Sequence, residues 1–475
     1  MAVISNVFWY INNSKWWVYA SYTYRQIIAT ATAAEAVAIL NTDAQTYYSS
    51  LNASWHLYNG WVANEAWTWL YNWTDWTAIY SNWTWSVWAK SYKKFTISWT
   101  ENNDPATVVN SVVYSDDAAW LTRWTSKEFD EFFWYYACNL NSSWVESNKS
   151  VQTYSWNNVY LTGLQTCVSN QSTAWDVMIA FPRRWIKMTK SWSVITLSIT
   201  DDPDATSEWY QYYAFDKSTS WSSSDLQDTL YIGAFEAYVS WSNMYSYWWQ
   251  APSTWTSWYS SNDWGTYSNN RWDHYSYMRW FAREYINCLY MMKYGNPNSQ
   301  SQIWNGIVSS SKTNTNSLSS QTLATYWTTA NQTTWMRLFW LENWWWNVSE
   351  WCAGIKTISG STNILIAKWK TSDDVNVSSA WSSFKTLWAS WMTSTWYPAT
   401  AMYGTNDWLF VPTAVYSSSQ DWTKWYCDWS RVGAGCVAFV SGDYGSGLAA
   451  GAFSLNVYDA PSNSLAFVGS RLMYL

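Results

Sequence analysis

The chain has 475 residues, of which 12% are charged, and its formal net charge is −7. This length suffices for two or three domains. An acidic chain with few charges lacks the basic face that nucleic-acid binding requires, so we expect no nucleic-acid partner. Residues 1–24 contain neither an apolar stretch long enough to span a bilayer nor the charged start and apolar core of a signal peptide. We therefore expect no Sec-type export signal in this segment.

Tryptophan is unusually abundant in this chain, and glycine is scarce. There are 48 Trp and 16 Gly, whereas the average Gly usage of about 7% predicts roughly 33 Gly. Many Trp directly follow turn-forming residues, as in Asn72–Trp73, Asp75–Trp76 and Asp263–Trp264. Tight turns demand Asn-Gly or Asp-Gly at such places, because glycine takes positive φ freely. We therefore expect many of these Trp to stand for Gly, most simply because a UGA codon read as Trp here is read as Gly in the source organism.

The alternative is a truly Trp-rich sugar-binding surface. Carbohydrate sites use a few well-placed aromatic residues rather than about one residue in ten, and many exposed indoles would favour aggregation. The recoding hypothesis is therefore preferred. Some Trp are nevertheless expected to be genuine, among them Trp280 and one or both of Trp344 and Trp345.

The first of three zones, residues 1–95, is low in charge and rich in small polar residues and Trp. We interpret it as a low-complexity stalk or attachment region. Within it, Ile27–Leu40 predicts a short helix, because Ala, Glu and Leu favour one. A loose Trp, Asn and Thr repeat over residues 55–88 is compatible with short strands joined by turns and equally with a disordered linker.

The second zone, residues 96–170, is predicted to be a small β-rich module. Strand-like alternation occurs at Phe95–Ser98, Val108–Tyr114 and Asn158–Leu161. Glu128–Phe133 predicts a helical turn.

The third zone, residues 171–475, is predicted to be the main domain. It carries a strand at Ser193–Ile199 and a helix at Tyr275–Tyr294 with its apolar residues on roughly one face. The helix should end at Gly295–Pro297, a good terminator. The fold class expected for the whole chain is α+β, with short strands, one or two helices in this zone and a β-rich, stalk-like region before it.

Five segments of the third zone occur in the order in which a known family carries them. They correspond to a GDVMI-x-FPR opening, a YIGAYEA strand, a turn after a helix, a GLENWWGNV segment and a Gly-rich ending with APSNS and GSRL. The segments are Trp175–Arg184, Tyr231–Tyr238, Tyr294–Gly306, Leu341–Glu350 and Gly451–Leu472. The chain therefore resembles C-type-lectin-fold proteins of the formylglycine-generating-enzyme-like form. This family includes phage tail receptor-binding proteins and the variable proteins of diversity-generating retroelements.

The resemblance also bears on the question of whether Trp stands for Gly. The family has glycine at four positions that are Trp in this chain. They are Trp175, Trp304, Trp340 and Trp346. This agrees with the recoding hypothesis.

The resemblance also implies a binding face in the C-terminal segment, residues 430–475. In retroelement-diversified relatives the matching positions are often Asn, Tyr, Ser or Asp, and adenine-directed mutagenesis of an AAC-type codon also gives Leu and Phe. The corresponding positions here are Tyr444, Ser446, Leu448, Ser454, Tyr458, Asp459, Leu465 and Phe467. Ordinary loop variation on a lectin-like surface is the alternative reading.

Three further residues are expected to have structural roles. Arg471 lies in a segment with few charges, so we expect it to pair internally and lock the C-terminus. Its expected partner is Glu342 or Glu350, and Asn343 accompanies Glu342 in the same segment.

Catalytic and metal-binding residues are scarce. The enzymatic branch of the fold needs a reactive Cys pair, but the spacing of Cys427 and Cys436 does not match it. These two are expected to form a local disulfide or to be buried thiols, and Cys138 and Cys167 could also bridge. Six Cys allow 15 pairings, so connectivity stays open.

Histidine is nearly absent, with only His56 and His274, which argues against a His triad or zinc site. Asp-rich turns at residues 200–204 and 372–374 could bind Ca²⁺ but lack the ligand spacing of an EF-hand, so solvated turns are favoured. No cofactor is expected.

The expected function is adhesion rather than catalysis. We expect a receptor-binding protein that displays a diversifiable face to a protein or glycan on a cell surface. Its location would be a virion tail or the outside of a cell, and the N-terminal zone could form a homotrimer. The alternatives are a formylglycine-generating-type enzyme that depends on Cys427 or Cys436, and a purely structural fibre protein.

Overall fold

The computed structural model divides into two compact units, residues 1–92 and 93–475. The described residues are 6–13, 16–23, 61–63, 69–72, 92–102, 104–155, 158–218, 224–254, 261–272, 274–303, 311–315, 336–367, 376–378, 384–387, 397–398, 409–411, 415–417, 430–447 and 450–475. The predicted helix at Ile27–Leu40 lies outside them.

The first unit contains an antiparallel sheet. Its strands are β1 (Asn6–Asn13), β2 (Trp16–Thr23), β3 (Trp61–Ala63) and β4 (Trp69–Asn72), in the order β2-β1-β3-β4. The last two strands belong to the repeat at residues 55–88, where short strands were one of the two interpretations.

The second unit is mixed and rich in strands, with few helices. Its helices are α1 (Pro105–Asn110), α2 (Glu128–Phe133), α3 (Leu164–Ser169), α4 (Ser261–Arg271), α5 (Trp280–Tyr294) and α6 (Ser299–Gln302), and short 3₁₀ turns lie at Ala205–Glu208 and Tyr213–Phe215. Its strands are β5 (Lys94–Thr100), β6 (Val113–Asp116), β7 (Tyr136–Leu140), β8 (Glu146–Ser147), β9 (Val151–Ser155), β10 (Asn158–Thr162), β11 (Asp176–Pro182), β12 (Trp185–Ser191), β13 (Val194–Thr200), β14 (Thr229–Gly233), β15 (Tyr238–Ser240), β16 (Asn243–Tyr245), β17 (Tyr275–Tyr277), β18 (Arg337–Leu338), β19 (Leu341–Glu342), β20 (Ser349–Lys356), β21 (Ile364–Ile366), β22 (Lys385–Leu387), β23 (Tyr397–Pro398), β24 (Val415–Ser417), β25 (Ser430–Val432), β26 (Val437–Val440), β27 (Leu455–Asp459), β28 (Val468–Gly469) and β29 (Leu472–Tyr474).

Three larger sheets organise this unit. One has the order β17-β29-β14-β11-β7-β8, the second β12-β13-β5-β6, and the third β22-β21-β20-β26-β27-β25 with β28 beside β20. Strand β7 lies within residues 96–170, and β5 begins two residues before them. Strand β5 pairs with β13 and β7 pairs with β11, and both partners belong to the following zone. The middle zone therefore shares two sheets with the main domain instead of building a separate module, because its pairing partners are distant in sequence.

The local predictions have mixed outcomes. The predicted helical turn at Glu128–Phe133 is confirmed as α2, and the strand prediction at Ser193–Ile199 as β13. The alternation at Val108–Tyr114 is not a strand, and that prediction is wrong for most of its length. A helix starts at Pro105 instead, because proline suits the first helical position and the Asp104 carboxylate accepts a hydrogen bond from the N–H of Ala106 at 2.8 Å.

Helix α5 lies in the core. The prediction began it at Tyr275, but Tyr275–Tyr277 is a strand that pairs with β29, and the helix starts at Trp280. It ends as predicted at Gly295, which has φ 56° and donates its N–H to the carbonyl of Met291. Every residue of α5 is buried, so the expected one-sided amphipathic helix is in fact covered on all sides.

The C-terminal strand is held by a buried arginine. Arg471 is fully buried, and its Nε donates to Oε1 of Glu350 at 2.7 Å. Its two terminal nitrogens donate to the carbonyl oxygens of Gly233 at 3.0 Å and of Glu342 at 2.6 Å. Of the two partners expected from the sequence, Glu350 thus contributes its carboxylate, whereas Glu342 contributes only its backbone. Because Glu350 lies on β20 and Arg471 adjoins β29, this pair joins two sheets.

Replacing Arg471 with Met should destabilise the protein by about 3–5 kcal/mol, because the Glu350 carboxylate and three carbonyls would lose a donor inside the core. Arg471→Lys should lose less stability, since lysine keeps the charge, although it cannot form the same fork of hydrogen bonds. Urea denaturation of the full chain measures both. Lys187→Met is the control, because its ammonium group makes an exposed bond to the carbonyl of Glu208 and a cation–π contact with Tyr210 at 5.5 Å, and neither is fully buried. A loss for Arg471→Met no larger than that of the control would contradict the proposed role.

Candidate functional site

The predicted binding residues fall into three groups along the chain: Tyr444 and Ser446 lie in a loop before strand β27, Ser454, Tyr458 and Asp459 lie on or beside the strand, and Leu465 and Phe467 follow it. Tyr458 is the most exposed of the predicted binding residues that the structure describes, with 42% of its surface accessible. Ser454 is only 7% exposed, so its side chain offers little contact surface. Leu448 lies outside the described residues. The site is therefore best built outward from Tyr458.

Tyr458 lies beneath a stacked arginine. Strand β25 runs parallel to β27, with Arg431 opposite Asn456. The guanidinium carbon of Arg431 lies 2.9 Å from the centre of the Tyr458 ring, a close cation–π contact. The backbone beside the ring is Gly433, where a Cβ atom would come within 2.9 Å of the ring carbon Cδ2. A residue without a side chain is thus needed for the ring to lie flat at this point.

Two buried polar atoms beside Tyr458 have no partner among the described residues. Asn456 is 7% exposed, and its Oδ1 atom accepts no hydrogen bond. The Nε atom of Arg431 likewise donates none. Asn456 and Tyr458 point to the same side of β27, because side chains alternate along a strand. An unsatisfied acceptor and an unsatisfied donor, each costing about 1–3 kcal/mol, therefore lie next to an exposed aromatic ring.

An apolar border adjoins these groups. Phe439 on β26 stands opposite Asn456, and its ring centre lies 6.3 Å from that of Phe467. Leu465 and Phe467 are partly buried against the cluster that contains Phe439. We call the surface formed by Arg431, Asn456, Tyr458 and Phe467 the β27 face. Asp459 follows at the end of the strand, where its carboxylate accepts a hydrogen bond from the side-chain amide of Asn463 at 2.9 Å.

Tyr444 and Ser446 belong to a separate loop. The N–H of Tyr444 donates to the carbonyl of Asn347 at 3.2 Å, and the indole N–H of Trp346 donates to the carbonyl of Gly447 at 2.7 Å. The hydroxyl of Ser446 accepts from the N–H of Asp443. These contacts place the loop against residues 346–347 rather than on the strand surface around Tyr458.

A buried carboxylate supports the segment on which this loop rests. Glu236 accepts hydrogen bonds from the side-chain amides of Asn343 and Asn347 and from the N–H of Val348. Burial raises the pKa of Glu236 well above its usual range, although Arg471 opposes the shift. Asn343, expected to be structural, is fully buried and donates a hydrogen bond to Glu236, a carboxylate that the sequence did not single out.

Sequence reasoning missed Arg431, Asn456 and Glu236. Arg431 could have been noticed as a charge in a charge-poor segment. Asn456 could have been noticed because it stands two residues before Tyr458 and shares its side of a strand. No local signal distinguishes Glu236, because its partners lie about one hundred residues further along the chain.

The described cysteines are all free and buried, namely Cys138, Cys167, Cys288, Cys352 and Cys436. The suggested bridge between Cys138 and Cys167 is therefore not formed, and Cys436 is a thiol; Cys427 lies outside the described residues. The Sγ atom of Cys436 is 2.9 Å from the carbonyl oxygen of Tyr458. Burial, and secondarily the charge of Asp459, raises the pKa of Cys436 to about 11, although Arg431 opposes the shift.

Metal ligands do not cluster in the part of the chain that the structure describes: no group of three or more His, Cys, Asp or Glu could hold an ion there. The Asp-rich turn at residues 200–204 is used locally, since Asp201 accepts from the N–H of Lys93 and Asp202 from that of Asp204. Within the same described ranges, no helix is long and apolar enough to cross a membrane.

No protein-family model matches this chain, and no curated protein matches it either.

Cys436 should resist alkylation in the folded protein. A pKa near 11 leaves roughly 10²-fold less thiolate near neutral pH than a free cysteine has. Iodoacetamide labelling followed by peptide mass spectrometry should therefore find Cys436 largely unmodified before unfolding and fully modified after it. Rapid labelling of the folded protein at Cys436 would instead indicate an activated thiol and favour the enzymatic alternative.

Proposed function

We propose that residues 93–475 bind a receptor on a cell surface, through a face whose side chains can vary on a C-type-lectin-like scaffold. The observation that carries the proposal is the β27 face, where an exposed Tyr458 stacks on Arg431 beside the unpartnered Oδ1 of Asn456. The order of the five segments that resemble the lectin-fold family supports the same reading. A virion tail or a cell exterior would be the corresponding location.

The chemistry of the β27 face suits a ligand that offers both polar and apolar groups. Oδ1 of Asn456 lacks a hydrogen-bond donor and Nε of Arg431 an acceptor, and a peptide group or a sugar hydroxyl would supply them once the side chains covering these buried atoms move aside. Tyr458 adds a flat apolar surface with a polar tip, and Phe467 adds apolar area. Tyrosine and arginine are also the residues that most often dominate binding energy at interfaces. A protein or a glycan is therefore the proposed partner class.

The backbone beneath this face is fixed independently of the exposed side chains. Strand β27 pairs with β26 on one side and β25 on the other, and Leu455 and Val457 are buried in the core. Tyr458 and Asp459 can therefore change without altering the strand that presents them. This separation of scaffold and display is what a diversified binding face requires.

Tyr458→Ala should weaken binding at least about tenfold, because the variant loses the exposed ring and the surface on which Arg431 stacks. The labelled full chain would be incubated with intact cells recovered from the source sample, and bound protein measured by flow cytometry over a concentration series. Ser462→Ala is the matched control, since it changes an exposed side chain in the same C-terminal segment. Equal binding by both variants would exclude the β27 face as the contact surface.

Variation at Tyr458 and Asp459 should be tolerated by the fold. Tyr458→Asn is expected to lower the free energy of unfolding by only about 0.5–1 kcal/mol, the usual contribution of an exposed cation–π contact such as that with Arg431. Val457→Asn, one residue earlier, should cost several times more, because it buries an amide in the core. Urea denaturation of both variants tests this contrast. Equal losses of stability would mean that the exposed side chains of β27 cannot vary independently of its buried ones.

A nearby reverse-transcriptase gene with an imperfect repeat of the final codons would independently support diversification.

A further inference from the structure

Tryptophan occupies an unusual share of the left-handed backbone positions. Among the described residues, nine of the 18 non-glycine residues with positive φ are Trp. They are Trp124, Trp134, Trp144, Trp192, Trp209, Trp241, Trp249, Trp340 and Trp346. Positive φ is uncommon for any residue with a Cβ atom and is an outlier for a bulky one, because the Cβ crowds the following carbonyl oxygen.

Two of these Trp occupy the tips of tight hairpins. Ser191 pairs with Val194, so Trp192–Ser193 is a two-residue loop whose first residue has φ 54°. Ser240 pairs with Asn243, so Trp241–Ser242 is a second such loop, with φ 49° and 60°. Two-residue hairpin loops of these types strongly favour glycine at the positive-φ positions. The indoles contribute little to packing, since Trp192 is 96% exposed and Trp241 is 94% exposed.

Two other Trp terminate helices. Trp134 follows α2 with φ 49°, and its N–H donates to the carbonyl of Asp130. Trp209 follows the 3₁₀ turn Ala205–Glu208 with φ 67° and is 81% exposed. Gly295 performs the same task after α5, where its φ is 56°. Glycine is the usual residue at this position of a helix end, because it adopts the left-handed conformation without a Cβ clash.

We infer that glycine is the native residue at positions 134, 192, 209 and 241, and that their exposed indoles are not a sugar-binding surface. All four positions require a left-handed backbone, and these indoles lie mostly in solvent. The buried Trp344 behaves differently. Its indole N–H donates to Asn287, and its ring lies 4.0 Å from the guanidinium carbon of Arg283. Positive φ together with an exposed indole thus distinguishes these four positions from Trp344, which uses its indole.

The stability test compares Trp192→Gly with Trp192→Ala in the full chain. Glycine should raise the ratio of folded to unfolded protein roughly 5- to 30-fold, because it relieves the left-handed strain. Alanine removes the same exposed indole but keeps a Cβ atom, so most of that gain should be missing. Equal gains from both variants would overturn the inference, since the benefit would then come from losing the indole.

The native protein gives a test that does not depend on folding. Cleavage after Lys190 and Lys217 releases one peptide, residues 191–217, that contains both positions 192 and 209. Mass spectrometry of protein purified from its source cells should find glycine at both. The peptide Trp280–Arg283 is the internal control and should retain tryptophan. Tryptophan at position 192 or 209 of the native peptide would refute the inference at that position.

Discussion

The buried pair between Arg471 and Glu350 is the interaction on which the second unit depends. It joins the strand that ends the chain to β20, and the remaining guanidinium nitrogens bind carbonyls of two other segments. A buried carboxylate is tolerated only when it is paired and hydrogen-bonded, and Arg471 gives Glu350 its hydrogen-bonded partner, while Arg283 lies 3.8 Å from the other carboxylate oxygen. Glu350 also pairs across the sheet with Val440 of β26, the neighbour of β27. The same constraint therefore positions the strand that carries the proposed binding face.

A fixed scaffold gives the β27 face its particular character. Strands on both sides define the course of β27, and its core-facing residues are fully covered. What remains outside is an aromatic ring with a stacked cation, and beside them lie two buried polar atoms without partners in the described part of the chain. Such groups are costly in isolation and are satisfied when a ligand supplies the missing donor and acceptor. Binding would thus complete hydrogen bonds that the protein alone leaves unmade.

Tight turns and helix ends connect this scaffold, and they are where tryptophan conflicts with backbone geometry. Trp340 and Trp346, two of the four positions where the family resemblance expects glycine, have φ values of 66° and 67°. Residues 433–471 contain no tryptophan at all. The substitution of glycine for tryptophan would therefore change the turns of the scaffold while leaving the residues around Tyr458 as they stand.

The sequence by itself determined those features that depend on neighbouring residues. It predicted the end of the central helix at Gly295, the helical turn at Glu128–Phe133 and the excess of tryptophan at turn-like positions, because capping, helix propensity and turn geometry act over a few residues. It also narrowed the partner of Arg471 to two carboxylates. Only the tertiary structure showed that the carboxylate of Glu350, and not that of Glu342, binds Arg471. It also placed strands from residues 96–170 in sheets shared with later strands, and it brought Arg431 against Tyr458. Those outcomes depend on strand pairing and burial between distant segments, which no local pattern encodes.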